Sequence, residues 1–357
     1  MAFARLSVLV ALALTATQTV NAALTKRVTW PLACTANPPV VVPLFPIVDQ
    51  IQQDLFDGGD CGEEAHSALR LSFHDAIGFS IHGSGGGADG SILAFNETET
   101  AFHANGGIDD ITARQFPVFL ETGLTAGDFV HLAAAIGTAN CPGAPRLEFK
   151  FGRPAPKAPA PDKTIPEPTD SVTSILARFA DAGFSSDEAV ALLASHTIAA
   201  ADVIDPTIPG TPFDSTAGTF DTQVFLEVLL KGSLFPGNGS QSGEVLSPLH
   251  GEMRLQSDFV ISQDPRTACT WQSFVNNQQK MVTEFKAAMA KLQVLGQPRN
   301  LIDCSDVVPV PKPFTSAIKF PASFSREDVQ IACPQRAFPS LATVAGPAPT
   351  IPPVPGS

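Results

Sequence analysis

Helical periodicity dominates the chain. Apolar residues recur at three- and four-residue intervals, which places them on one face of a helix. The pattern predicts helices over about 44–56, 62–77, 108–122, 126–139, 171–181, 186–200, 221–231, 247–261 and 271–295. Ser185, with Glu188 three residues on and an apolar run behind, is a capping-box signature for the helix that reaches His196. Long Gly- and Pro-rich stretches separate the helices, most clearly GSGGGADGS (83–91) and GRPAPKAPAPDKTIPEP (152–168). Loops of this length in a compact chain usually carry sites or bound ions. From Pro309 the chain is Pro-rich and is expected to wrap the surface, and the tail GPAPTIPPVPGS (346–357) is expected to be extended or disordered. No internal repeat is visible.

One helical segment breaks the apolar pattern in an informative way. LRLSFHDAIGF (69–79) carries Arg70 and His74 four residues apart, and Asp75 follows directly. On a helix, i and i+4 share a face. Leu69, Leu71, Phe73 and Ile77 make the surroundings apolar. Two ionisable groups aimed into such a site cost free energy unless something there uses them. A second histidine, His196 in LLASHTIAAAD (192–202), sits near the end of another apolar helix. In isolation it reads as a core histidine bonded to a backbone carbonyl.

The 357 residues suffice for one large domain or two small ones with a full core. The opening MAFARLSVLVALALTATQTVNAALTKR has an early Arg5, an apolar run over 6–14 and small residues near Ala22. It reads as a secretory signal peptide over 1–22. Lys26-Arg27 then reads as the end of a propeptide over 23–27. The apolar run is too short to span a bilayer, and no later stretch qualifies. The expected product is a secreted, extracellular protein with no membrane partner.

Six cysteines (Cys34, Cys61, Cys141, Cys269, Cys304 and Cys333) fit an oxidising compartment. They permit three disulfides in any of fifteen connectivities. No CxxC pair occurs, which argues against structural zinc. The sequons at Asn96 and Asn238 suit a glycosylated surface. A net charge of −13 excludes nucleic acid as the natural partner and suits cations. The absence of tyrosine fits a protein exposed to oxidants.

With RLSFHDAI, GGGADGSI, NCPGAP, GRPAPKAPAPD, LLASHTIA, DPTIPGTPFDST, GEMRLQSD, TACTWQSFVNNQ and CSDVVP in this order, the chain resembles the secreted fungal haem peroxidases of the lignin-degrading class, within the plant-type peroxidase superfamily. The resemblance runs from about Cys34 to Pro353. It implies a mainly α haem-peroxidase fold: one domain over 28–345, with a distal half (about 28–165) and a proximal half (about 166–345) around one haem b, and two structural Ca²⁺ sites.

The same resemblance implies residue roles. His74 would move a proton of hydrogen peroxide, and Arg70 would stabilise charge as the O–O bond breaks. Phe73 would pack near the haem, Asn105 would orient His74, and Glu99 would brace Asn105. His196 would be the proximal iron ligand, with Asp258 on its other nitrogen and Phe213 beside it. One Ca²⁺ would take Asp75, Gly87, Asp89 and Ser91; the other would take Thr197, Asp214, Thr216, Thr219 and Asp221. The implied disulfides are Cys34–Cys304, Cys61–Cys141 and Cys269–Cys333.

Three electron-donor routes exist in that family. A surface tryptophan relay is excluded: its position is Ala191, and neither Trp30 nor Trp271 substitutes by alignment. A manganese route needs acids at a haem propionate. Glu63 and Asp202 match two positions, and Ser67 stands where the third, a glutamate, is usual. This resembles atypical manganese peroxidases with a Glu/Ser/Asp set. The third route, direct oxidation of small phenols or dyes at the haem edge, would use His103, Ala104 and Glu167. The expected function is therefore peroxide-driven oxidation of Mn²⁺, passed on through organic-acid chelates to phenolic lignin, by a monomer. The alternative is a generic peroxidase acting at the haem edge. A non-catalytic, calcium-stabilised secreted binding protein is the alternative from another class. The set Arg70, His74, Asn105, His196 and Asp258 speaks against it.

Overall fold

The structure is a computed structural model that describes residues 44–331 and 333–356. The expected signal peptide and propeptide, Trp30 and Cys34 lie outside the described residues.

Among the described residues there are twelve α-helices. They are α1 (Leu44–Leu55), α2 (Glu63–Ala76), α3 (Ser91–Ala94), α4 (Asn96–Glu99), α5 (Ile108–Thr122), α6 (Ala126–Asn140), α7 (Val172–Asp181), α8 (Ser186–Leu192), α9 (Gln223–Glu227), α10 (Gln256–Gln263), α11 (Ala268–Phe274) and α12 (Gln278–Leu292). Strand content is confined to three antiparallel two-residue pairs. β1 (Lys150–Phe151) pairs with β6 (Ile302–Asp303), β2 (Ala200–Ala201) with β3 (Thr211–Pro212), and β4 (Glu244–Val245) with β5 (Arg254–Leu255).

The helix carrying Arg70 and His74, α2, packs chiefly on α6. Nearly every residue of α6 is buried, and many are Ala or Gly. Small residues let the two backbones approach closely: a Cβ on Gly137 would sit 3.1 Å from Ala65 Cα. The cap of α6 is Thr125, whose side chain accepts from Asp128 N at 3.3 Å. Asp128 itself forms a wholly buried ion pair with Arg153 at 2.9 Å, and Arg153 Nη2 also donates to Gln293 O at 2.7 Å. Thr125→Ala is expected to cost about 1 kcal/mol, the usual loss of an N-cap acceptor. Denaturant unfolding of the two proteins checks it.

The periodicity located the first five expected helices to within a residue or so. Four others differ, each for a local reason. The expected 186–200 helix is α-helical only to Leu192 and then tightens into a 3₁₀ segment, Leu193–Ile198. A capping box at Ser185 and Glu188 does open it. The expected 221–231 helix is the five-residue α9. The 247–261 helix begins only at Gln256, because Pro248 and the positive-φ Gly251 keep the preceding residues in a turn and β5. The 271–295 helix is two helices: Asn276 has φ +55°, and Asn277 caps α12 by accepting from Lys280 N at 3.3 Å.

The tail is extended and seated on the protein. Ile351 N donates to His250 O at 2.7 Å, and Val354 N to Gly210 O at 2.8 Å. Disulfides join Cys61 to Cys141 and Cys269 to Cys333. Cys304 is also disulfide-bonded.

Candidate active site

A cavity of about 220 Å³ lies between α2 and the 3₁₀ segment after α8. Arg70, Phe73 and His74 line one side; His196, Phe213 and Met289 are among the residues of the other. The remaining wall is largely apolar. The i, i+4 spacing read from the sequence therefore does aim Arg70 and His74 into one space.

His74 is held by a relay. Its Nδ1 lies 2.7 Å from Asn105 Oδ1, and Asn105 Nδ2 donates to the backbone oxygen of Glu99 at 2.8 Å. The acceptor on Asn105 assigns the proton to Nδ1 and leaves Nε2 as the basic nitrogen. Burial, aided by the nearby Arg70 charge, lowers the His74 pKa to about 3. The ring is thus neutral at ordinary pH. Glu99 braces Asn105 through its main chain. Its carboxylate instead accepts from Ala160 N at 2.9 Å, and burial raises its pKa to about 7. Arg70 Nη2 donates to Gly106 O at 2.9 Å. Burial disfavours its charge, while Asp202 and Glu63 support it.

On the other side, His196 Nδ1 is 2.7 Å from Asp258 Oδ2. That leaves Nε2 as the ring nitrogen available for a ligand bond. Asp258 is buried on α10, and the Phe213 ring centroid lies 5.3 Å from that of His196. A flat, apolar cofactor with a metal centre fits this arrangement: apolar walls, an imidazole oriented by a buried carboxylate, and an arginine–histidine pair opposite.

Each histidine segment adjoins a tight loop of oxygen ligands. Asp75 Oδ2 accepts from Gly90 N at 3.0 Å and lies 3.1 Å from His131 Nε2. Asp89 Oδ1 accepts from Ser91 N at 3.0 Å. Asp75 Oδ1 is buried with no hydrogen-bond partner, and the Ser91 hydroxyl faces the Asp89 and Glu99 carboxyls. Burial raises the pKa of Asp75 to about 7; burial and the Asp75 charge raise that of Asp89 to about 6. Gly87 has φ +75°, and a Cβ there would sit 2.1 Å from Leu295 O, so only glycine fits the turn. On the other side, Thr197 Oγ1 donates to Asp214 Oδ2 at 2.7 Å and lies 3.4 Å from Thr219 O. Thr216 Oγ1 lies 3.1 Å from Asp221 Oδ1. Burial and the Asp221 charge push Asp214 well above the usual carboxylate range, and burial raises Asp221 to about 6. An orphaned buried carboxylate oxygen and crowded acids of one sign are the donor set a hard cation takes.

The two acids singled out for manganese both act on the Arg70 charge, and one of them lines the cavity. Asp202 lines it, and its Oδ1 accepts from Gly210 N at 2.8 Å across the β2–β3 turn. Glu63 opens α2 and joins Asp202 in supporting the Arg70 charge. Ser67 Oγ donates to Glu63 Oε1 at 2.6 Å. In this arrangement the serine orients the glutamate. Glu64, on another face, pairs with Arg114. At the haem-edge positions, Ala104 and Glu167 line the cavity, and His103 Nδ1 sits outside them, 3.0 Å from Glu167 Oε2. Asn238 is exposed and Asn96 half-buried.

Several functional contacts had no sequence signal. His131 is a lone histidine in an Ala-rich helix, yet it is buried against Asp75. The main-chain groups of Gly106 and Gly210 that hold Arg70 and Asp202 carry no side chain to read. His66 Nε2 lies 3.5 Å from Cys61 Sγ; both sulfurs beside it are in the Cys61–Cys141 disulfide, so the trio is not a metal site.

A mainly helical fold with an arginine–histidine pair facing a carboxylate-backed histidine defines the haem-peroxidase class. Comparison with known proteins agrees. The profile described as "Peroxidase" matches residues 47–277, and that described as "Fungal peroxidase extension region" matches residues 280–356. The chain belongs to the fungal branch of the peroxidase family. It is 56% identical over 347 residues to manganese peroxidase 3 of Phlebia radiata, covering 94% of this chain and 96% of the relative. It is 54% identical to versatile peroxidase VPS1 of Pleurotus eryngii over 371 aligned residues, the full length of both. It is 47% identical to ligninase H2 of Phanerodontia chrysosporium, covering 99% of this chain and 98% of the relative. Among the described residues, no helix is long and apolar enough to cross a membrane.

Proposed function

We propose that this peroxidase is secreted and uses hydrogen peroxide to oxidise Mn²⁺, at a site formed by Glu63, Asp202 and a haem propionate. The observation that carries this reading is that the charges of Glu63 and Asp202 both act on Arg70, with Asp202 lining the cavity. Carboxylates suit a cation that prefers oxygen ligands. Names of relatives support it: some act on manganese by title, as in manganese peroxidase 3 of Phlebia radiata.

Haem b, held by His196 and the apolar walls, would supply the two-electron reduction of peroxide and the one-electron oxidation of donors. His74 Nε2 takes a proton from the bound peroxide and returns it to the leaving oxygen. Arg70, a cation fixed by Gly106 O, stabilises the charge that develops as the O–O bond breaks. Asp258 accepts from His196 Nδ1 and makes the imidazole a stronger donor. Calcium ions held by Asp75, Gly87, Asp89 and Ser91, and by Thr197, Asp214, Thr216, Thr219 and Asp221, fix the two histidine segments. Chelated Mn³⁺ then oxidises phenolic lignin.

Steady-state kinetics with peroxide and Mn²⁺, on the wild type and on Asp202→Ala, test the metal site. Saturable Mn³⁺ formation in the wild type should lose at least about 10-fold in kcat/KM in the variant, since even an outer-shell partner of a metal is worth about that much. An unchanged Mn²⁺ dependence would remove Asp202 from the site. A second route has its own observation. Val203, 51% exposed, lines the cavity mouth with Ala104 and Glu167, so small phenols have an apolar landing there. Robust phenol oxidation without Mn²⁺ saturation would make that route the main one. Ala191 is buried, so no aromatic relay is exposed at that position.

A further inference from the structure

No tyrosine is available to give up an electron anywhere in this chain. The other readily oxidised side chains are tryptophan, methionine and free cysteine, and nearly all of the described ones are held away from the cavity. Trp271 is buried, its indole N–H donates to Phe225 O at 3.0 Å, and it does not line the cavity. Cys61, Cys141, Cys269, Cys304 and Cys333 are all in disulfides. Met253 and Met281 are enclosed in the core and do not line the cavity either. Met289 differs. It lines the cavity together with His196 and Phe213, and among the described residues no other sulfur or indole side chain does so.

A peroxidase that reduces peroxide with no donor at hand is left two electrons short. Of the cavity side chains, the thioether of Met289 is the one able to supply both. Peroxide is cleaved beside His74, and Met289 lies on the side of His196, so the oxygen it gains comes from water. Two electrons leave the sulfur for the oxidised haem, one water supplies the oxygen, and two protons are released. Those electrons match the two that peroxide took, with two protons, on becoming water. In sum, a thioether and hydrogen peroxide give a sulfoxide and water.

We propose that Met289 is the site at which this peroxidase oxidises itself: with peroxide present and donor exhausted, its thioether becomes the sulfoxide, and the altered wall loosens the haem. The wall is apolar there, since Ala189, Leu192, Leu193 and Ile261 line the same cavity. A sulfoxide brought into it costs free energy unless it finds a hydrogen-bond donor. Met289 is on α12, which packs chiefly on α8, and α8 runs into the 3₁₀ segment that carries His196. A polar, bulkier group at Met289 therefore acts on the segment that holds the iron. The inference needs the haem between His74 and His196. It does not depend on which donor the enzyme uses.

The test treats the holoenzyme with peroxide in the absence of donor and maps its peptides by mass spectrometry. The peptide with Met289 should gain about 16 Da, one oxygen, well before those with Met253 and Met281. In ¹⁸O-labelled water the gain should be about 18 Da, because the oxygen comes from solvent. In His74→Ala the sulfoxide should form at least about 10-fold more slowly, since a positioned acid–base group contributes about 10² or more to peroxide cleavage. Met289→Leu keeps the size and apolarity of the side chain without the sulfur, and should hold its Soret absorbance severalfold longer at the same peroxide dose. A Met289 that stays unmodified while the Soret band bleaches overturns the proposal, even if Met289→Leu fails to fold. So do sulfoxides formed equally fast at all three methionines, the mark of peroxide acting from bulk solution. Oxygen drawn from peroxide instead of water, or a rate unchanged in His74→Ala, overturns it as well.

Discussion

Replacing His74 with alanine is expected to lower the second-order rate constant for reaction with hydrogen peroxide by about 10²–10⁴-fold, the range a positioned acid–base group supplies. Stopped-flow mixing of the ferric enzyme with peroxide measures it directly. Donor binding should change little, because Glu63 and Asp202 are left intact. A loss below about threefold would mean that another group moves the proton. The pH dependence follows from the sign of the shift. His74 works as a base only when neutral, and its pKa is lowered to about 3 by burial and by Arg70. The peroxide step should therefore be flat from neutrality down to about pH 4, and fall as pH drops through about 3. Asn105→Val removes the acceptor on Nδ1 and frees the ring to turn. A loss of about 10–100-fold is expected, as for other groups that orient a working histidine.

Removing calcium should have the largest effect on stability. A cation at 100 times its dissociation constant stabilises the folded state by about 2.7 kcal/mol. Two such sites give about 5 kcal/mol, or a fall in Tm on the order of 10 °C on chelation. Calorimetry with and without a chelator, then with calcium restored, checks it. The effect should depend on pH. In the ion-free fold, the pKa of Asp75 is raised to about 7, and those of Asp89 and Asp221 to about 6. A carboxyl raised above its unfolded value stabilises the fold fully below the unfolded pKa of about 4, and that stability is lost as pH rises through the folded pKa. Chelation should thus cost little near pH 4 and progressively more towards pH 7. Asp75→Asn should reproduce most of the distal part. A Tm indifferent to chelator at pH 7 would remove the calcium reading of both loops.

Much of this was legible before the fold. The spacing of Arg70 and His74 in an apolar helix signals a working pair, because i and i+4 must share a face. Long amphipathic helices such as α1, α2 and α5 are set by local periodicity and were located closely. The failures share one cause. Residues 247–255 look helical by period, but Pro248, Gly251 and pairing with β4 override it. The expected single helix over 271–295 is divided by the positive φ of Asn276 and the cap at Asn277. Turn chemistry and distant pairing won over periodicity there.

The sequence by itself determined which residue types are present in working order: the arginine–histidine pair, the second histidine, the Asp-rich turns and the two acids with a serine between. These are local signals, because spacing along a helix and composition of a turn are properties of a short stretch. Only the tertiary structure decided which of them meet. It brought Asp258 to 2.7 Å from His196, set His131 against Asp75, and turned Ser67 onto Glu63. It also enclosed Asp89 and Asp214, residues that look like ordinary turn acids in the sequence. Burial is what changes their chemistry, since desolvation and a neighbour of like charge act only once the chain has closed around them.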